Sequence, residues 1–345
     1  MAVYTLNPLD DGRWTAFITG HPHASVFHSV GWIQALKRTY HYEPVVYTTT
    51  PPDRPLTNGI LLCRVDSWLT GRRMVSVPFA DHCEPLVESG TDRAELLDAL
   101  RSSTGHGWNY VELRPRHPDG WIEPGEEPDA VFRLHTLDLR PSLDELVGRF
   151  HKSTILRKIR RAEREGIEYE EGRSAPLLDE FFRLMLLTRR RHGVPPQPIE
   201  WFANLLDCVR EAKLVVARWR GEPVAAMLTI LHGRTLVYKY GGSDSRLHPL
   251  GAMPFLFLRA IAEAKPHGAI TLDLGRSDLH NQGLIRFKER LGASSTALAY
   301  QRISHQNRRR RTVVWRPTRL AGRVVSRLPD WLFVSAGRFF YPHVG

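Results

Sequence analysis

Cysteine is scarce in this chain, with three in 345 residues. That is too few for a disulfide scaffold and fits a reducing compartment. No apolar run of about 18 residues is present, so no conventional membrane span is expected. The opening stretch lacks a basic region followed by an apolar one, which argues against a classical signal peptide. HExxH, a tight Cys/His cluster, GxSxG, Walker A and the Rossmann glycine signature are all missing. A metal set, a hydrolase elbow and a dinucleotide fold are therefore not expected. What is present is globular: 42% hydrophobic and 25% charged, which excludes wholesale disorder and fibrous structure. The length suits two domains of ordinary size or one large one.

Acid is scarce at one end. The chain carries a formal charge of +11, from 48 basic and 37 acidic residues. Residues 301–345 hold ten arginines and one acid, Asp330, so this segment alone is +9. The rest is close to neutral. The basic run Arg308, Arg309, Arg310, Arg311 precedes apolar and aromatic positions that include Trp331, Leu332, Phe333, Phe339 and Phe340. Such a segment fits a membrane-surface helix or a helix packed on the body.

Along the chain, Ser29 is placed to cap a short helix that includes Trp32 and Ile33. Strands are expected at 44–48, 58–65, 73–78, 109–114 and 132–139, with a helix at 92–102. Ser142 and Glu145 form a capping box. A helix follows, with a break near His151-Lys152-Ser153 and Gly166 as its stop. Its second piece is basic, through Lys152, Arg157, Lys158 and Arg161. Those residues form either a solvated face or an anion-binding surface. Helices are expected at 177–190 and 199–210, then a strand meander at 214–219, 224–231 and 235–240. A helix at 251–264, a strand at 270–274, a short helix at 282–290 and a strand at 296–302 close the pattern. The first half and residues 214–274 share one order: three strands, a helix, a strand. This weak internal repeat points to an α/β chain with mixed α+β sheets in two similar domains. The expected division is 1–141, a basic linking helix at 142–166, 167–303, and a basic segment at 304–345.

The densest polar cluster is 273–292, just past an expected strand, where ligand sites in α/β folds gather. It contains Asp273, Arg276, Ser277, Asp278, Arg286, Phe287 and Lys288. Asp81-His82-Cys83-Glu84 is the one compact acid/His/Cys set; it is a pocket loop candidate rather than a metal site or a Cys nucleophile. Gly241-Gly242-Ser243, after Tyr240, is too short to claim a nucleotide.

Four short stretches, in order, resemble the FemAB-related, BioF2-like acyltransferases of the GNAT superfamily. They are Phe27-His28-Ser29 with Gly31-Trp32; Gly71-Arg72-Arg73 through Pro78-Phe79-Ala80-Asp81; Lys158-Ile159-Arg160-Arg161-Ala162 with Glu165-Gly166; and Asp273-Leu274-Gly275-Arg276-Ser277 followed by Phe287-Lys288 and Leu291-Gly292. The resemblance implies two tandem GNAT-like domains and an N-acyltransferase acting on an amine of an envelope-related acceptor. It implies Lys288 near the reacting carbonyl, stabilising an oxyanion. Asp273, Asp278 or Asp81 would orient or deprotonate the amine. Arg276, Ser277, Arg286, Phe287, Tyr240, Asp81 and His82 are the expected substrate contacts. No tightly bound cofactor is implied; the donor is acyl-CoA, an acyl carrier protein or aminoacyl-tRNA. The acceptor is a small-molecule or lipid-linked amine, which places the protein in the cytoplasm with possible peripheral membrane contact. Cys83-Glu84 depart from the glycines that relatives often carry, and the helical arm of some tRNA-using members is missing. The reading from another class is a non-catalytic basic module that docks on nucleic acid or anionic membrane.

Overall fold

The computed structural model describes residues 2–105, 107–122, 127–304, 322 and 325–345. The chain forms two compact units. One comprises 1–132, 298–316 and 339–345; the other comprises 133–297 and 317–338. Arg308, Arg309, Arg310 and Arg311 lie outside the described residues.

The first unit contains β1 (Tyr4–Leu6), α1 (Gly12–Gly20), α2 (Val30–Tyr40), β2 (Glu43–Thr48), β3 (Ile60–Val65), β4 (Arg73–Val75), α3 (Gly90–Thr104) and β5 (Val111–Leu113). The chain leaves it within β6 (Ala130–Asp138) and returns within β12 (Ser294–Ile303). The second unit contains α4 (Leu143–Arg149), α5 (Arg157–Arg164), β7 (Glu168–Gly172), α6 (Ala175–His192), α7 (Ile199–Cys208), β8 (Ala212–Trp219), β9 (Glu222–His232), β10 (Thr235–Ser243), α8 (Ala252–Ala264), β11 (Thr271–Asp278) and α9 (Gln282–Arg290). The C-terminal helix α10 covers Asp330–Phe340.

The strand order of the first unit is β1-β2-β3-β4-β5-β12. Its pairs are antiparallel except β4 with β5, where Met74 sits beside Val111 in parallel register. The order of the second is β7-β8-β9-β10-β11-β6. Here β7 to β10 are antiparallel, and β10 meets β11 in parallel, with Thr235 opposite Thr271. A parallel pair needs a crossover, and α3 and α8 supply it in the two units. The repeat expected from the sequence is thus a repeat of topology.

Local chemistry sets the ends of these elements. Ser29 caps α2 by accepting from the Trp32 amide. Ser142 and Glu145 close the capping box of α4. A π-helical turn at Lys152–Leu156 stands where the break was expected, and α5 follows it. Gly166 adopts a positive φ of 67° and stops α5. Ile155, Ile159 and Ala162 turn inward against Phe255, Leu256 and Ile261 of α8 in one core, which also takes Leu272 and Leu274 from β11. Gly251 enters α8 at φ 83°, and an added Cβ there would meet the Lys158 carbonyl at 2.2 Å. The core of the first unit is built on Ile60, Leu62, Met74, Leu96, Leu100, Val111 and Leu113.

Candidate active site

The end of β11 and the start of α9 build the polar centre of the second unit. Along β11, Asp273 and Ser277 turn inward while Arg276 and Asp278 face solvent. Asp273 accepts from the Gly275 amide at 2.7 Å. Gly275 has a φ of 70°, a conformation that glycine adopts without strain. The turn swings two carbonyls toward α9. There Lys288, only 2% exposed, donates to Gly275 O at 2.9 Å, Arg276 O at 3.1 Å and Ser277 Oγ at 2.8 Å. Three acceptors match the three N–H groups of an ammonium. Lys288 is therefore a fixed, buried charge that fastens α9 to the strand end.

One neighbour was not read from the sequence. His135 on β6 is 0% exposed, and its ring has no well-formed hydrogen bond among the described residues beyond a weak contact with the Arg133 backbone. Burial lowers its pKa from the ordinary histidine value, and the charge of Lys288 lowers it further. A buried imidazole so poorly bonded costs stability and calls for a reason. Its sequence signal was slight: one histidine two residues before Leu137, on the face of β6 that turns inward.

The other expected contacts of this unit are divided. Arg286 is exposed; Phe287 is half-buried against Phe257, with ring centroids 5.8 Å apart. Tyr240 is buried, and its hydroxyl accepts from Trp201 Nε1 at 3.0 Å, which ties β10 to α7. A Cβ on Gly242 would come within 2.6 Å of the α6 backbone at Leu184 and Met185. That glycine serves close helix–strand packing. Lys152, Arg157 and Arg161 are exposed and Lys158 is half-buried, so the basic residues of this helix lie largely in solvent.

Asp81 and His82 belong to the first unit. Their loop is strained, with Val77 at φ 35° and Phe79 at φ 61°. A β-branched residue rarely takes such a conformation, and strain of this kind gathers at functional sites. Arg114 holds the loop by donating to Val77 O at 3.2 Å and Ala80 O at 3.3 Å. Arg114 is itself paired with buried Glu112 at 2.8 Å, and Arg302 reaches the same carboxylate at 2.9 Å. Tyr300 donates to the Asp81 carbonyl, and His82 meets the Phe27 ring edge-on at 5.3 Å. The short length of β4, which stops at Val75, follows from this turn.

Cys83 Sγ lies 3.4 Å from His28 Nε2. The pair is not a nucleophile and its base. His28 Nδ1 accepts from the Ser25 amide at 3.0 Å, so Nε2 carries the proton, and it donates to Glu84 O at 2.8 Å. Burial also pushes the Cys83 thiol well up, away from thiolate.

The C-terminal helix α10 packs by Phe333, which is buried under the Arg190 guanidinium at 4.7 Å. Arg190 also donates to Ser326 O at 2.9 Å and Leu328 O at 2.7 Å. Of the two readings of this segment, packing on the body holds for this helix. Among the described residues, no helix is long and apolar enough to cross a membrane.

Residues 149–289 match the acetyltransferase (GNAT) domain family. Over 118 residues the chain is 33% identical to the UDP-N-acetylmuramoylpentapeptide-lysine N(6)-alanyltransferase of Weissella viridescens. That match covers 34% of this chain and 31% of the relative, so it spans about a third of the relative's length. Among solved structures, FemX aligns with a TM-score of 0.66 at 15% identity, covering 86% of this chain and 96% of that one. The C-terminal domain of a putative lysylphosphatidylglycerol synthetase from Agrobacterium fabrum aligns at 0.59 and 15% identity, covering 88% and 93%. A tandem GNAT protein from the clavulanic acid pathway aligns at 0.52 and 11% identity, covering 87% and 97%. The fold is thus that of tandem GNAT proteins, and the FemAB-like resemblance holds.

Proposed function

We propose that this chain, a FemAB-like GNAT protein, is an N-acyltransferase that moves an acyl or aminoacyl group from an activated ester or thioester to an amine of an envelope-related acceptor. The observation that carries the reading is Lys288, a buried ammonium fastened to the carbonyls of Gly275 and Arg276 beside the parallel β10–β11 pair. The attacking amine forms a C–N bond with the donor carbonyl, whose π pair moves to oxygen. The oxyanion pair then re-forms the C=O bond as the C–O or C–S bond breaks, and the leaving group keeps the electrons of that bond and takes up the proton lost by the amine. Positioning, a fixed positive charge and a proton acceptor supply what such a reaction needs.

In this scheme Lys288 stabilises the oxyanion by its charge in a low-dielectric site. It exchanges its longest hydrogen bond, the one to Arg276 O, for the oxyanion. Asp273 is engaged with the Gly275 amide and holds the turn. His135, kept neutral by burial and by Lys288, takes the proton of the amine. Exposed Arg276, Arg286 and Asp278 meet the polar parts of substrate.

The acceptor is the amine of a nucleotide- or lipid-linked peptidoglycan precursor, as the alanyltransferase relative suggests. The donor is a charged tRNA, a reading favoured by the exposed basic residues Lys152, Arg157 and Arg161. The protein works at the cytoplasmic face of the plasma membrane, where lipid-linked precursors lie. Purified protein would be incubated with a UDP-N-acetylmuramoyl-pentapeptide and, in turn, alanyl-tRNA, acyl-CoA and acyl carrier protein. The expected result is donor consumption with the acceptor gaining one aminoacyl residue, and none with Lys288→Met. Turnover by Lys288→Met equal to that of the wild type would overturn the assignment. Consumption of acyl-CoA alone would replace the donor.

A further inference from the structure

Beneath the end of α8 the second unit holds a cavity of about 220 Å³. Its floor is the α8-facing side of the sheet, with Val215 from β8, Thr229 and Leu231 from β9 and Leu236 from β10. Ala260 and Ala264, one turn apart on α8, form its wall. Earlier in the helix Leu256 and Phe257 fill the space against the sheet; the two alanines are too short to do so. The cavity shares no residue with the centre around Lys288. It lies by Leu236, which stands opposite Leu272 near the start of β11, whereas the acceptors of Lys288 begin at Gly275.

One polar group stands on this apolar floor. Thr229 is 6% exposed, and its hydroxyl makes no hydrogen bond among the described residues. Buried polar groups normally have a partner, and an unmet one in a cavity marks room for a ligand that supplies it.

The rim carries Glu171, Glu211 and Glu263 with Lys213 and His267. These carboxylates are matched unequally. Lys213 donates to Glu171 at 2.8 Å, and the Tyr169 hydroxyl donates to it at 2.9 Å. Arg259 stands 3.9 Å from Glu263 and also covers the Tyr169 ring. Glu211 has no ion pair among the described residues. Burial lowers the pKa of nearby His232, so that imidazole is neutral near pH 7 and offers Glu211 no counter-charge. The register sets Thr229 opposite Lys213, so Glu211 is its diagonal neighbour across the two strands. A small group between them can reach both. An anion would meet the uncompensated carboxylate, and a purely apolar molecule would leave the hydroxyl unmet. An aliphatic chain that ends in an ammonium satisfies floor, hydroxyl and carboxylate together.

We propose that this cavity is a second ligand site that takes a short aliphatic amine, with its chain against Val215, Leu236 and the two alanines and its ammonium between Glu211 and Thr229. The site rests on no step of acyl transfer. Binding measured without an acyl donor can therefore hold or fail independently of turnover.

The test is isothermal titration of the full chain with n-hexylamine near neutral pH, beside n-hexanoate. Wild type should bind the amine saturably and the carboxylate at least about tenfold more weakly. Glu211→Gln, an exposed change that leaves packing alone, should weaken amine binding about fivefold, the scale of one partly exposed ion pair. Ala264→Leu should fill the cavity and abolish binding, with a thermal unfolding midpoint equal to or above that of wild type. No saturable binding by wild type would overturn the proposal, as would hexanoate binding as tightly as hexylamine. Amine binding left unchanged by either variant would place the ligand elsewhere, the acyl-transfer centre included, and overturn it as well.

Discussion

A single side chain, Lys288, joins chemistry to stability. Its three N–H groups meet Gly275 O, Arg276 O and Ser277 Oγ inside the fold. Replacing it by methionine keeps the volume but leaves three buried acceptors unpaired. Each buried acceptor left unsatisfied costs about 1–3 kcal/mol, so the loss should be about 3–5 kcal/mol. Turnover should fall by about 10²–10³, the scale of a lost oxyanion contact. Denaturant unfolding run beside the kinetics separates the two effects. His135 should behave in the opposite way. His135→Leu removes a buried, poorly bonded imidazole, so stability should hold or rise by about 1 kcal/mol while turnover falls. Stability and turnover falling together would mark His135 as a packing residue. His28 gives a pH signature. Burial lowers its pKa from 6.5 to about 4. Between those values the unfolded chain binds the extra proton, so stability rises with pH there. It is fully present above 6.5 and drains as pH falls toward 4, by roughly 3 kcal/mol. Urea midpoints at pH 5 and pH 7 should differ by more in wild type than in His28→Gln.

At the level of elements, alternation and turn chemistry were readable. The meander β8–β9–β10 was expected from its glycine turns and formed as such, with each strand longer than read. Two strands show why reading falters. β7 has the sequence Glu168-Tyr169-Glu170-Glu171-Gly172, a charged run with no strand signature. It forms because β8 supplies both the ladder and the counter-charges: Arg218 pairs with Glu170 and Lys213 with Glu171. β4 read as reaching Pro78 but stops at Val75, because Val77 and Phe79 take positive-φ conformations in a turn that Arg114 fastens at Val77 O and Ala80 O. Neither fact has a local cause. The short β1 and α1 were likewise missed. The turn in β11 makes a sharper prediction. Gly275→Ala puts a Cβ at φ 70° and should cost about 1–2 kcal/mol. The two carbonyls under Lys288 would move with it. Turnover should therefore fall further than that destabilisation accounts for, which kcat beside the thermal unfolding midpoint would show.

At the scale of the whole molecule, each unit is closed by chain that lies far off in sequence. In the first unit β12 pairs with β5, bringing Arg302 onto Glu112 from 190 residues away. Burial alone would raise the Glu112 pKa, but Arg114 and Arg302 outweigh it and hold it below 4.5. Because the folded value is depressed, this ion group stabilises above the unfolded pKa. The contribution is lost as pH falls through the folded value. Glu112→Gln should therefore flatten the acid limb of the stability curve below about pH 4.5. It should also cost about 3–5 kcal/mol at neutral pH, since buried Arg114 and half-buried Arg302 lose their counter-charge. Chemical denaturation across that range tests both.

The sequence by itself determined what depends on near neighbours: the Ser29 cap and the Ser142–Glu145 capping box, the glycine stops, the strand alternation, the repeated order of elements and the cluster at 273–292. Those follow from backbone sterics and from periods of 2 and 3.6 residues. The tertiary structure decided what depends on distant groups. It buried Lys288 and gave its three N–H groups acceptors. It fixed the His28 tautomer and so removed Cys83 from consideration. It set His135 within electrostatic reach of Lys288, and it opened a cavity beside Ala260 and Ala264. Burial, partner and protonation are properties of a neighbourhood in space, and one-dimensional pattern carries little of that information.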